Sequence, residues 1–183
     1  MKVFRLRGSQ DYWTLYYTDG GYKRIDETWC LARNGMSVVK DWNKVEVEIV
    51  FEGEHSKNKP DIMDFGGLVG IVITSSAKDI LKDLLIPYCE LLPLDLKGEE
   101  VYLVNPTVIL DCIDYDNSVT ELCPPMYRKK TVKYVLKKGM DYPPIFRIKS
   151  ESYFIFITDE FVKVLTENHL SGYNIKELWN SEE

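Results

Sequence analysis

The chain has two histidines, His55 and His169, and four cysteines, Cys30, Cys89, Cys112 and Cys123. None of the cysteines belongs to a C-x-x-C pair, so no zinc ligand set with ordinary spacing can be drawn. Cys89 and Cys112 sit in apolar runs and read as small core residues. No window approaches 18 uncharged apolar residues, which excludes a membrane-spanning helix. The first ten residues lack the continuous apolar stretch of a secretory signal. The expected compartment is therefore the cytoplasm, where thiols stay reduced. Positive charge is also short: 23 Lys and Arg against 29 Asp and Glu leave a formal net charge of -6. That balance argues against general nucleic-acid binding, which needs a basic surface to displace phosphate counterions. It is compatible with a basic protein partner.

What is present is a globular composition, 45% hydrophobic and 28% charged over 183 residues. It suffices for an unaided core and predicts a single domain over 1–183. Residues 1–59 read as a β-rich N-terminal part. Val3 to Leu6 and Tyr12 to Tyr17 are strand-like, with a turn at Asp19-Gly20-Gly21. Residues 22–44, with Trp29 and Trp42, show no clear period. In the next run Val45, Val47, Ile49 and Phe51 alternate with Glu46 and Glu48, the mark of a strand with one wet face. His55 falls in the polar loop from Gly53 to Pro60.

One pattern occurs twice. Ile71-Val72-Ile73-Thr74 reads as a strand ending in a capping residue. Ala77, Ile80, Leu81, Leu84 and Leu85 then recur at helical spacing up to Pro87, which cannot continue a helix. Ser76 and Asp79 have the form of a capping box, and Cys89 to Leu96 follows as a strand. Eighty-four residues on, Ile155-Phe156-Ile157-Thr158 opens a second helix with Asp159 and Glu160 in its first turn, where the helix dipole favours acids. Gly172 ends it, and Tyr173 to Trp179 is strand-like. Further strand-like runs lie at 101–104, 108–113, 131–136 and 145–148, with a long connection at 114–130 that contains Pro124-Pro125. The expected fold is α+β: a mixed or largely antiparallel sheet with two main helices packed on it, each in a strand-cap-helix-strand unit.

Few constellations point to chemistry. Asp111, Asp114, Asp116 and Ser118 could offer oxygen ligands to a hard cation. An EF-hand loop from Asp114 would need Gly and Glu where Val119 and Pro125 stand, and turn chemistry explains the same residues. Asp64-Phe65-Gly66 and Ser75-Ser76-Ala77-Lys78 imitate kinase and penicillin-binding motifs without their companion elements. Arg128, Lys129, Lys130, Lys133, Lys137 and Lys138 form a basic run. With Tyr127 and Tyr134 as stacking groups it would be an RNA contact; with lysines guarding an edge strand it is structural. The 12 tyrosines and 4 tryptophans are of the type that anchors protein interfaces.

From Pro60 onward several short motifs come in order: Pro60-Asp61-Ile62, Thr74-Ser75 opening a helix, Glu90-Leu91-Leu92-Pro93-Leu94 and Tyr102-Leu103-Val104-Asn105. Cys112 to Ser118, Ile145-Phe146-Arg147-Ile148, Ile157-Thr158-Asp159 and Leu170-Ser171-Gly172-Tyr173 follow. Over residues 60–179 this resembles a bacterial family of immunity proteins of polymorphic toxin systems, typified by a myxobacterial member. The resemblance implies a cytoplasmic protein that binds and neutralises one cognate toxin domain, with no catalysis and no cofactor or metal. Its recurring residues, here Asp61, Ser75, Asp114, Ser118, Phe146, Arg147 and Gly172, are expected to be structural. If the toxin is a basic nuclease, Glu46, Glu48, Asp114 and Asp116 are the expected contacts. No membrane contact is expected, and a homo-oligomer is compatible with the sequence. Two other readings stand beside this one. One is a small-molecule or nucleotide enzyme using Asp111, Asp114 and Asp116. The other is an RNA-binding regulator using the basic 128–138 strand.

Overall fold

The computed structural model describes residues 1–18, 22–52, 58–66, 70–123 and 128–182. Strands hold 46% of the chain and helices 19%, so the expected two helices on one sheet give way to a mostly β architecture. The elements are β1 (Lys2–Gly8), β2 (Trp13–Tyr17), α1 (Tyr22–Arg33), β3 (Val45–Glu52), β4 (Ile62–Phe65), β5 (Gly70–Thr74), α2 (Ser75–Leu85), β6 (Cys89–Leu96) and β7 (Glu99–Pro106). They continue with β8 (Ile109–Leu110), β9 (Val119–Cys123), β10 (Arg128–Lys133), β11 (Ile145–Ile148), β12 (Ile155–Thr158), α3 (Asp159–Glu167) and β13 (Tyr173–Asn180). Six strands close a barrel in the order β2-β3-β6-β7-β5-β4. Five form an open sheet, β13-β1-β12-β11-β8, and β9 pairs β10 in a separate ribbon.

Alternation along the strands sorts side chains into three cores. Val72, Met63, Phe65, Leu92, Leu94 and Leu103 fill the barrel, together with Trp29 and Ala32 of α1. Ile71, Ile73 and Ile62 point the other way, into a core shared with Ala77, Leu81 and Leu85 of α2, Phe161 and Leu165 of α3, and Ile155 and Ile157 of the sheet. Phe156 and Phe146 turn to the sheet's other face, where Cys112, Tyr134, Leu136 and Trp179 cover them. Each Leu or Phe buried in these layers contributes about 2 kcal/mol.

The repeat read from the sequence extends well beyond the helices. The strand order β2-β4-β5-β7-β6 in the barrel has its match in β8-β11-β12-β1-β13 in the sheet, with the same parallel or antiparallel sense at every step. Equivalent positions follow from the registers, and identical pairs include Ile62 with Ile145, Ile71 with Ile155, Ile73 with Ile157, Thr74 with Thr158, Leu81 with Leu165, Val101 with Val3, and Leu15 with Leu110. The backbone amide of Thr74 donates to Asp61 O (3.0 Å), and that of Thr158 to Pro144 O (3.1 Å). Thr107 N donates to Tyr88 O (2.9 Å) and its counterpart Ser9 N to Gly172 O (2.7 Å). The second copy is permuted: its hairpin partner for β13 is β1, at the start of the chain.

Among the strands of the barrel and the open sheet, β3 has no counterpart in this scheme. It pairs antiparallel with β2 and parallel with β6, bridging the two edges of the first sheet and closing it. That is why one copy is a barrel and the other an open sheet. A bulge at Val50, between Ile49 and Phe51, interrupts the alternation of β3 and leaves Val50 half-exposed. The expected capping box at Ser76 and Asp79 is not formed. Thr74 is the cap, its hydroxyl accepting from Ala77 N at 3.2 Å, and Ser76 Oγ sits 2.9 Å from that hydroxyl. Residues 22–33, left unassigned by periodicity, form α1. The turn expected at 19–21, His55 and Pro124-Pro125 lie outside the described residues.

The two copies are fastened at the start of β4. Asp61 accepts from both the amide (2.9 Å) and the hydroxyl (2.7 Å) of Ser171, and Ile62 N donates to Ser171 O at 3.0 Å. Gly172 has φ +84°, and a Cβ there would lie 2.1 Å from Ile62 O. Gly98, in the two-residue turn between β6 and β7, also has positive φ (+88°) but open space around it. Urea denaturation should separate the two effects. Gly98→Ala should cost about 1 kcal/mol, the backbone penalty alone. Gly172→Ala should cost about 3 kcal/mol or more, because backbone must also move. Equal costs would show that the Gly172 crossing is not tight.

Candidate functional site

The duplicated topology brings three positions together twice, where the second hairpin strand leaves its own sheet for the other. In one place these are Arg147 of β11, Asn105 of β7 and Glu90 of β6; in the other they are Asp64 of β4, Arg7 of β1 and Asn174 of β13. The residue types differ, and so does the result.

The first set is closed. Arg147 and Asn105 are both fully buried. The guanidinium donates to Pro106 O (3.3 Å), Ser152 O (2.6 Å) and Asn105 Oδ1 (3.5 Å). Asn105 donates to Glu90 Oε2 (3.1 Å), which also accepts from Val38 N (3.1 Å). The Trp29 ring lies 5.5 Å from the guanidinium, a cation–π distance. Burial lowers the Arg147 pKa to about 10, and burial raises that of the neighbouring Cys89 thiol.

The second set is open. It borders a cleft of about 560 Å³ between the end of β1, the β4–β5 pair and the starts of β12 and β13. Gly8 brings β1 against β4 here; a Cβ on it would meet Asp64 N at 2.2 Å. The link from β1 to β2, Ser9 to Tyr12, is longer than its counterpart Thr107-Val108, and Ser9, Gln10 and Asp11 contribute to the cleft wall. Arg5 and Arg7, two apart on one strand face, hold their guanidinium groups 4.8 and 5.4 Å from the Phe154 ring centre. Lys176 is the cross-strand partner of Arg5, and Asn174 that of Arg7. Burial lowers the Arg5 pKa, and the like charge of Arg7 lowers it further, against the opposing charge of Glu151. Glu151 accepts a hydrogen bond from Tyr134 Oη. Burial raises the Asp64 carboxyl above its ordinary value, opposed by Arg7.

Glu46 and Glu48 are exposed on the outer face of β3. Glu46 is the register partner of Asp95 on β6, and Asp95 that of Glu100 on β7, so three carboxylates lie side by side across three barrel strands. Lys44 reaches two of them, Asp95 at 3.7 Å and Glu100 at 3.5 Å. The Tyr102 hydroxyl donates to Glu100, which holds that carboxyl below its usual range.

The other expected contacts are elsewhere. Asp114 is tied into its own turn, accepting from Asp116 N (3.1 Å), Asn117 N (3.3 Å) and Asn117 Nδ2 (2.8 Å); the Asn117 side chain is the main reason its pKa is low. Asp116 is exposed beside it. Ser118 stitches this turn to the next strand through Val135 N (2.9 Å) and O (3.1 Å). Asp111 is exposed, 3.9 Å from Lys149. These acids do not meet Arg147, and among the described residues no group of three or more His, Cys, Asp or Glu could hold a metal ion. Ser75 donates to Glu100 O at 3.0 Å, and Phe146 stacks on Phe156 with centroids 5.9 Å apart. Of the basic run, Lys130, Lys133, Lys137 and Lys138 are exposed, but Tyr134 is buried and engaged with Glu151, so it is no stacking platform. Tyr127 and the side chains of Arg128 and Lys129 lie outside the described residues.

Sequence reasoning missed Arg5, Arg7 and Asn174. The Val3-Phe4-Arg5-Leu6-Arg7 alternation carried a signal, because it puts both arginines on one face of a strand. No family model matches the chain, and no curated protein matches it. Among the described residues no helix is long and apolar enough to cross a membrane.

Two outcomes are expected from the buried groups. Arg147→Met leaves three carbonyls unpaired and should cost about 3 kcal/mol in urea denaturation; a cost under about 1 kcal/mol would mean that water replaces the guanidinium. Burial also pushes Cys112 up to about 11 and raises Cys89, Tyr134 and Tyr142. Unfolded thiols ionise near pH 8.5 and phenols near pH 10, so above those values the unfolded chain holds fewer protons than the fold. Their contribution is complete below about pH 8.5 and is lost as pH rises through 11. Arg147 acts in the opposite sense above pH 10, but it is one group against four. Stability should therefore fall between pH 8.5 and 11, and less steeply in Cys112→Ala. An identical slope in that variant would remove Cys112 from the account.

Proposed function

We propose that this chain is a cytoplasmic immunity protein that binds and neutralises one cognate toxin domain by protein–protein contact. The observation that carries the reading is the acidic row Glu46, Asp95 and Glu100, continued by Glu48, on the outer face of the barrel. Carboxylates fixed side by side on a rigid sheet set up a field that speeds encounter with a basic partner, as a nuclease toxin would be. Tyr16, opposite Glu48 in the β2–β3 pair, and Tyr102 beside Glu100 are both half-buried. They supply the rigid aromatic area that interfaces use as anchors.

The resemblance over 60–179 agrees with this division of labour. Asp61, Ser75, Ser118, Phe146, Arg147 and Gly172 all serve the scaffold. Asp114 does so as well, through the bonds within its own turn. An interface of standard size, roughly 800 Å² per partner, would extend from the acidic row over much of one barrel face.

The first test is co-expression and pull-down with the C-terminal domain of the large secreted protein encoded beside this gene. A stable complex that relieves toxicity is expected. In that complex, Glu46→Lys with Glu48→Lys should slow association by roughly tenfold and weaken its salt dependence. Asp116→Lys should leave both unchanged. An association rate insensitive to the first pair would take the acidic row out of the interface. No complex, with the toxin still lethal in cells that make this protein, would overturn the pairing.

A further inference from the structure

We propose that the cleft between β1, β4 and β13 is a binding site for a small phosphate-bearing ligand, with its oxyanion held between Arg5 and Arg7 and Lys176 beside them. This goes beyond the toxin reading and does not depend on it. Two guanidinium groups share the ring of Phe154 at 4.8 and 5.4 Å. Neither is placed there by an ion pair: among the described residues no carboxylate lies within 4 Å of Arg5, Arg7 or Lys176. Holding like charges together costs free energy that a dianion placed between them would recover. The planar fork of arginine suits a tetrahedral oxyanion, and the ring beneath limits the rotamers that each fork must give up on binding.

The internal repeat supplies a second, independent argument. At the equivalent crossing the chain satisfies its own polar groups: Arg147, Asn105 and Glu90 bond one another and Trp29 covers them. Here Arg7 and Asn174 occupy two of those positions but face a cleft of about 560 Å³. The longer Ser9–Tyr12 link adds polar wall to it. That volume is in the range of small-molecule sites, and is large enough for a nucleoside monophosphate. Asn174, the cross-strand partner of Arg7, and Asp64, on the strand against Gly8, also line the cleft and can accept from hydroxyl or amino groups on the rest of the ligand. The lining sets Arg5, Arg7 and Lys176 against Asp11 and Asp64, a net positive balance in a protein of net charge -6, which favours an anion in this concave site.

The test is calorimetric titration of the full chain with inorganic pyrophosphate and with adenosine monophosphate, at about 50 and 200 mM salt. Saturable binding at one site is expected, weaker at the higher salt, with the nucleotide binding more tightly than pyrophosphate. Arg5→Gln and Arg7→Gln should each weaken it by roughly tenfold or more, while Lys82→Gln, on an exposed helix face, should not change it. Arg7→Lys keeps the charge without the fork and should fall between wild type and Arg7→Gln, and circular dichroism melts check that each variant is folded. No binding of either probe at millimolar concentration would overturn the proposal. So would equal binding by wild type and a folded Arg7→Gln. Binding of an aspartate-rich peptide with neither phosphate probe would also overturn it, and would assign the cleft to protein carboxylates.

Discussion

Each half of the molecule sends a strand into the sheet of the other: β2 joins β4 and β8 joins β11, both in parallel. That exchange is the constraint on which the rest depends. It forces the barrel and the open sheet to share α2 and α3 in one apolar core. It makes the chain cross between sheets at two equivalent points, and at each point polar side chains from three strands are brought together. The close approaches at Gly8 and Gly172, and the carboxylate of Asp61 on Ser171, are what such crossings require of the backbone.

The two crossings have the same geometry and different fates. Arg147 can be wholly buried because carbonyl oxygens from two chain segments and one amide surround it. A cation without such partners would not tolerate burial. Arg7 has no comparable set, and it stays at a cleft wall. The difference arises from small local changes, a longer link after β1 and a different residue at each of three positions. This is how a repeated scaffold can acquire one structural crossing and one that is accessible to solvent.

Much of the local structure was legible. The alternation of Val45, Val47 and Ile49 marked β3, and the strand–cap–helix pattern at Thr74 and Thr158 marked α2 and α3. The turn at Asp114 followed from its Asx chemistry. What periodicity could not show was pairing. Nothing along 45–52 says that the strand will touch both β2 and β6, and that double pairing turned the expected sheet into a barrel. Nor does the sequence near Arg147 name Asn105, which is 42 residues away. Helix α1 was hidden because it is short of regular apolar spacing; its Trp29 and Ala32 join a core built mostly by strands. The arginine pair at 5 and 7 was visible as a spacing, but its meaning depended on Phe154, which folding brings from the far end of the chain.

The place of β1 also sets an order in time. Its register partners lie at Ile155–Thr158 and Tyr173–Asn180, so a chain emerging from the ribosome carries this strand unpaired until β12 and β13 have been made. At ordinary elongation rates that interval is roughly 10–30 s. The barrel strands, β2 to β7, are all made well before it ends and can close around their own core. Residues 2–8, with Arg5 and Arg7 among them, are meanwhile a free edge. Their alternating charges keep that edge from pairing with another chain, so the arginines that line the finished cleft also protect the nascent strand.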